Sequence, residues 1–194
     1  MEPRDNCNYT VAIRTLGKAG GRYQTLLDSL ARQTIPPAKI LVYIAEGYAI
    51  PRETIGREQY IYVKKGMVAQ RALRYDEVET EYILFLDDDV YLPDHAVESL
   101  YGYMTAFHAD VIAPDVFPNA DRPLLTRWMM TVSGRMAPRR DDGKRGYEVM
   151  RNSGYSYNMN PRPGVCWSQT NAGPCFLCRK SDFLRICFEE ELWM

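Results

Sequence analysis

The feature that most constrains the fold is a run of five apolar residues, Tyr82-Ile83-Leu84-Phe85-Leu86, that passes directly into Asp87-Asp88-Asp89. The run is the strongest strand signal in the chain, and it stands in a regular alternation. Tyr9 to Thr15 is β-rich and ends near Gly17 and Gly20-Gly21, which lead into a helix with Tyr23, Leu26, Leu27 and Leu30 on one face. Pro36-Pro37 stops that helix. Lys39 to Glu46 is a nearly continuous apolar run bounded by Gly47, as expected of a strand covered on both faces. A short strand over Tyr60 to Val63 follows, and Gly66 opens a helical stretch with Met67, Leu73 and Val78. After the acidic triplet, Asp94 is placed to cap a helix with the stripe Val97, Leu100, Tyr101 and Met104, and Asp110 to Val116 reads as another buried strand. This β-α-β-α-β-α-β rhythm predicts a mostly parallel sheet with helices on both faces.

From Phe117 the rhythm breaks. Leu124, Leu125, Trp128, Met129 and Val132 fit one more helix that Gly134 can end. Residues 135–146 carry five Arg/Lys and two Asp and turn at Asp142-Gly143. Tyr155, Tyr157 and Met159 alternate like an edge strand, and Gly173 to Arg179 looks like a late return to the sheet.

Size and charge narrow the function. The 194 residues suffice for one sizeable core, so a single domain over 1–194 is expected. With 24 Lys+Arg against 25 Asp+Glu, the net charge of −1 argues against a dedicated nucleic-acid or anionic-membrane binder. No apolar run is long enough to span a bilayer, and the first residues contain no signal-like segment. Five cysteines, an odd number in a chain of this size, read as reduced thiols in a cytoplasmic protein.

Three carboxylates at one strand end repel each other unless a cation or hydrogen-bond donors offset the charge. Strand alternation puts Asp87 and Asp89 on one face and Asp88 on the other. Mn²⁺ or Mg²⁺ takes oxygen ligands, commonly one or two carboxylates plus substrate phosphate oxygens. Open α/β sheets bind ligands beyond the C-terminal ends of their strands. Asp87 and Asp89 are therefore candidate metal ligands at a diphosphate site. The competing account is a solvated acidic turn before Pro93.

Taken in order, Val11-Ala12-Ile13-Arg14-Thr15, Ser29-Leu30-x-x-Gln33-Thr34, Ile40-Leu41-Val42-Tyr43-Ile44, Gly66…Arg71 and Tyr82 through Asp89 resemble the GT-A glycosyltransferases of glycosyltransferase family 2. The likeness is close over about residues 9–116 and looser over 165–193. It implies an α/β, Rossmann-like GT-A fold with a mostly parallel central sheet flanked by helices and a less regular C-terminal acceptor region. Residues 1–116 would be the nucleotide-sugar-binding half and 117–194 the acceptor half. It further implies a metal-dependent inverting transfer from a nucleoside diphosphate sugar to a hydroxyl on a glycan or lipid-linked acceptor, in cell-surface polysaccharide or glycan synthesis, at the inner face of the membrane. By the same resemblance Thr15, Glu46, Arg71, Asp87 and Asp88 contact the nucleotide sugar, and Asp89 ligates the metal. Glu46 stands where the family usually has Asp, which leaves the nucleotide open. The family's general base lies in an acidic C-terminal segment. Glu190 is the nearest counterpart, and the acidic pair that usually follows is absent before Met194, as expected of a truncated catalytic domain.

Other signals weigh less. Cys166, Cys175, Cys178 and Cys187 have a zinc-like spacing, but the Cys175–Cys178 pair falls on a predicted strand and reads better as buried thiols. His95 and His108 suggest no catalytic arrangement. Tyr155, Tyr157 and Trp167 could stack on an acceptor sugar, and the run Arg139 to Arg145 could cover an anionic donor or meet anionic lipid. Each has an ordinary packing or solvated account. Two rival functions remain: a nucleotide-sugar-binding fragment without the base, and a haloacid-dehalogenase-type phosphatase. For the latter, the motif lies too far from the N-terminus and Tyr91 replaces an expected Thr or Val.

Overall fold

β-Branched and aromatic side chains with few breakers build the strands of the main sheet. The computed structural model describes residues 7–66, 69–70, 72–115, 123–133, 147–149, 156–158, 164–171 and 173–186. Its six-stranded sheet comprises β1 (Tyr9–Thr15), β2 (Lys39–Ala45), β3 (Glu58–Val63), β4 (Tyr82–Asp87), β5 (Val111–Ile112) and β8 (Cys175–Arg179). The order is β3-β2-β1-β4-β8-β5. β1 pairs in parallel with both β2 and β4, and β2 with β3, whereas β8 runs antiparallel between β4 and β5. This is the mostly parallel α/β sheet expected, with the late return from Gly173 inserted between β4 and β5.

The first helix, α1 (Gly21–Ala31), buries Tyr23, Leu26, Leu27 and Leu30, the stripe read from the sequence, and α2 (Ala96–Ala106) buries Val97, Leu100 and Met104 of its expected stripe, with Tyr101 only half-buried. Asp94 is not the cap of α2. His95 holds that position without a side-chain cap, and Asp94 Oδ1 accepts a hydrogen bond from Arg32 Nε at 3.3 Å. Among the described residues the expected strand over 110–116 reduces to the two residues of β5, where Val111 is exposed at the sheet edge, and Val116 lies outside them.

The helix expected after Gly66 is absent among the described residues, which form turns there. Tyr75 explains why. Its φ of 52° is left-handed, incompatible with a continuing α-helix. The conformation sends its ring into the core, where it meets Tyr43 (4.9 Å), Phe85 (4.9 Å) and Phe183 (5.5 Å) edge to face. Phe85 also stacks on Phe176 at 4.6 Å. Around these rings Ala12, Leu41, Val63, Val78, Ile83 and Cys178 complete one face of the core. The short helix α4 (Lys180–Phe183) contributes Phe183.

Two compact units divide the chain: Met1–Pro114 with Gly173–Met194, and Asp115–Ala172. The second contains α3 (Leu124–Val132) and an antiparallel pair, β6 (Tyr147–Val149) with β7 (Ser156–Asn158). Leu124, Leu125, Trp128, Met129 and Val132, the predicted apolar face of α3, are all exposed. Among the described residues no helix is long and apolar enough to cross a membrane.

Phe85 is fully buried at the centre of the aromatic cluster. Phe85→Ala should cost about 3–5 kcal/mol of unfolding free energy, measurable as a lower urea midpoint, whereas removing the exposed Tyr103 ring should cost little.

Candidate functional site

Parallel pairing brings the C-terminal ends of β1 and β4 side by side, with Ala12 opposite Phe85 and Arg14 opposite Asp87. Since side chains two apart share a face, Arg14 and Asp87 project on the side that carries Ala12 and Phe85. They meet just beyond the apolar core. Arg14 Nη2 donates to Asp87 Oδ1 at 3.1 Å and to the Gly173 carbonyl at 3.2 Å. Only 9% of the Arg14 side chain is exposed, against 33% for Asp87. The Gly173 contact joins the strand-end pair to the segment that returns the chain to β8.

β4 ends at Asp87, whose backbone N–H bonds the Pro174 carbonyl at 2.9 Å, and Asp88 and Asp89 lie in the turn that follows. The alternation expected for the three carboxylates therefore stops after the first. All three line a single cleft of about 430 Å³ together with Arg14, Thr15, Leu16, Lys18, Ala19, Arg22 and Gln70. The Thr15 hydroxyl donates to Asp88 Oδ2 and accepts the Gly17 N–H at 2.7 Å. Gly17 has φ 68°, and a Cβ there would lie 2.5 Å from the Ala49 carbonyl oxygen, so only glycine allows this close crossing. Arg22 Nη1, at the start of α1, donates to Asp89 Oδ2 at 3.1 Å.

Burial is the main reason the Asp88 carboxyl is pushed above its ordinary value. The Asp89 and Asp87 charges add to the rise, and the Thr15 hydrogen bond partly offsets it. Nearby, Lys18 and Lys65 each place an ammonium over the Tyr48 ring, at 5.0 and 5.1 Å. The Lys65 hydrogen bond and charge lower the Tyr48 phenol's pKa. The cleft thus sets three carboxylates against three cations, Arg14, Lys18 and Arg22.

The turn is held from behind by the segment Ser29-Leu30-x-x-Gln33-Thr34. Gln33 is buried; its Nε2 donates to the Ser29 and Pro93 carbonyls at 3.1 and 2.8 Å, and its Oε1 accepts the Val97 N–H at 3.1 Å. Ser29 Oγ accepts the Leu92 N–H at 3.3 Å, and the Thr34 N–H bonds the Asp94 carbonyl at 2.9 Å. These contacts fasten the end of α1 to residues 92–97, immediately after the acidic triplet.

Of the residues singled out from the sequence, the structure brings together Thr15, Asp87, Asp88 and Asp89. Glu46 is exposed at the turn after β2 and is not among the residues lining the cleft. Arg71 and Glu190 lie outside the described residues, as do Cys187, Tyr155, Met159 and the run Arg139 to Arg145. Cys175 and Cys178 are buried thiols, each pushed up to about 12 mainly by burial, and Cys166 is exposed. Arg14, Lys18 and Arg22 escaped the sequence reading. The available signal was Arg14 itself, a cation directly after the apolar residues Val11-Ala12-Ile13 of β1.

A divalent cation fits this donor set in kind. The carboxylates are hard oxygen ligands, and burial, with the Asp89 and Asp87 charges adding to it, raises the Asp88 carboxyl. Among the described residues no group of three or more His, Cys, Asp or Glu is placed to hold an ion. One or two carboxylates would be the protein's share, with substrate oxygens and water completing the shell.

A family model described as Glycosyl transferase family 2 matches residues 22–186. No curated protein matches the sequence. Among solved structures, Staphylococcus aureus TarS 1-349 is similar with a TM-score of 0.53 and 16% identity over 96% of this chain and 52% of that one. The same protein in complex with UDP-GlcNAc gives 0.45 and 19% over 60% and 37%, and in complex with UDP 0.42 and 18% over 60% and 38%. The TarS 1-349 likeness supports the GT-A fold expected from the sequence. The chain spans between about a third and about half of these structures.

A raised carboxyl pKa favours proton uptake by the folded state. The stability linked to Asp88 is fully present below the unfolded value of 3.8 and is lost as pH rises through the higher folded value. Asp88→Asn keeps an acceptor for Thr15 without the charge. It should raise the melting temperature at pH 7, and the gain over the parent protein should vanish as pH falls below the ordinary carboxylate range, as thermal melts across pH would show.

Proposed function

The chain belongs to glycosyl transferase family 2, and on that footing we propose that it transfers a sugar from a nucleoside diphosphate sugar to a hydroxyl of a glycan or lipid-linked acceptor, with inversion at the anomeric carbon. What carries the reading is the convergence of Thr15, Asp87, Asp88 and Asp89 with Arg14, Lys18 and Arg22 in one cleft at the C-terminal ends of β1 and β4. That edge of an α/β sheet is where such folds bind nucleotides.

In this proposal Asp89 would hold Mn²⁺ or Mg²⁺, with Asp87 beside it kept by Arg14. The bound ion would supply Lewis-acid stabilisation of the departing diphosphate. Asp88 and Thr15 act as one hydrogen-bonded unit, able to fix ribose hydroxyls at the inner end of the cleft. Lys18 and Arg22 place positive charge where the diphosphate must lie, so charge developing on the leaving group meets donors already in position. Arg14 keeps Asp87 oriented and ties it to the β8 return. The acceptor hydroxyl loses its proton to a carboxylate opposite the leaving group, for which Glu190 is the proposed base. TarS has been solved with UDP-GlcNAc, which puts UDP-sugars first among donors to try.

The decisive experiment measures thermal stabilisation and nucleotide release for UDP-, GDP- and dTDP-sugars with and without Mn²⁺. One nucleotide series should stabilise the protein only when metal is present, and Asp89→Ala should lower turnover by about a hundredfold or more. If no nucleotide sugar stabilises the protein with Mn²⁺ present, the reading is wrong.

A further inference from the structure

Resting on that reading, we infer that Arg22 is an exchangeable counter-ion of the cleft. It neutralises Asp89 until a divalent cation takes the carboxylate, and its freed guanidinium then binds the diphosphate of the donor. The two arginines of the cleft are built differently, and the difference assigns the roles. Arg14 is nine-tenths buried, has two acceptors on Nη2, and keeps Nε buried without a hydrogen-bond partner among the described residues. Separating a buried cation from its carboxylate leaves both uncompensated, so the Arg14–Asp87 pair stays closed.

Arg22 has the opposite character. Its side chain is 70% exposed, Asp89 is 45% exposed, and they meet through one contact of 3.1 Å. Such a solvent-screened pair contributes little and opens readily. Arg22 is the second residue of α1, so its backbone is fixed while the long side chain can sweep the mouth of the cleft it lines. A doubly charged ion on Asp89 outcompetes a single guanidinium for that carboxylate. The released guanidinium remains on the cleft wall, with the planar donor geometry that suits phosphate oxygens. Of the two carboxylates read from the sequence as metal ligands, Asp89 is therefore the one that accepts the ion, while Asp87 stays with Arg14.

The inference predicts opposite effects of one substitution. Free Mn²⁺ is titrated by EPR into the parent chain, Arg22→Ala, Arg22→Lys and Asp89→Ala without nucleotide. UDP and GDP are then titrated calorimetrically at saturating Mn²⁺. Arg22→Ala should tighten Mn²⁺ by about two- to fivefold, the range of an exposed ion pair, and weaken the bound nucleoside diphosphate by about ten- to a hundredfold, the range of a charge-assisted hydrogen bond. Arg22→Lys should fall between Arg22→Ala and the parent in both arms, and Asp89→Ala should lose Mn²⁺. The inference is overturned if Arg22→Ala leaves Mn²⁺ affinity unchanged or lowered, if nucleotide affinity does not fall, or if Asp89→Ala binds Mn²⁺ as the parent does. A parent chain that binds neither UDP nor GDP with Mn²⁺ present overturns the donor reading as well, which separates that failure from one confined to Arg22.

Discussion

The parallel pairing of β1 with β4 is the contact on which the site depends. Its register sets Arg14 opposite Asp87, one position beyond the fully apolar part of each strand. One residue of slippage would send the cation and the carboxylate to opposite faces of the sheet and drive one of them into the core. The hydrophobic faces of Val11, Ile13, Leu84 and Leu86, all fully buried, hold that register. Packing therefore determines the electrostatics: the core positions a half-buried ion pair at its edge.

Two further devices support this edge. Gln33 and Ser29 spend their polar atoms on backbone groups at 92–97, so a segment that carries part of the family resemblance acts here as a brace. Tyr75 accepts a left-handed backbone in return for three edge-to-face ring contacts. Its hydroxyl also reaches the Gln70 carbonyl at 3.0 Å, linking the aromatic cluster to a residue of the cleft wall. Core and site are continuous at this point.

Periodicity was a dependable guide where the physics is local. The strands Tyr9–Thr15 and Lys39–Ala45 and the buried stripes of α1 and α2 emerge from apolar spacing alone, because burial of one face is the dominant free energy for each element. Local spacing misleads where a distant partner decides. Met67, Leu73 and Val78 suggest a helix, yet the left-handed Tyr75 interrupts it and packs against Tyr43, Phe85 and Phe183. Asp94 has the chemistry of a cap, but Arg32 competes for it. The alternation applied to Asp87, Asp88 and Asp89 failed because the strand ends when its β8 partner does, at the pairing of Leu86 with Cys175.

The sequence by itself determined the α/β rhythm, the delivery of three carboxylates to the end of the most apolar strand, and the likeness to a nucleotide-sugar transferase family. These depend on neighbours in the chain, whose spacing is visible in one dimension. Only the tertiary structure decided which cations meet those carboxylates. Arg14, Lys18 and Arg22 lie some seventy residues before the acidic turn, and strand order and register bring them to it. The contrast between the buried Arg14 and the exposed Arg22 is likewise a matter of surroundings. Burial sets the strength of an ion pair, and burial exists only once the sheet is assembled.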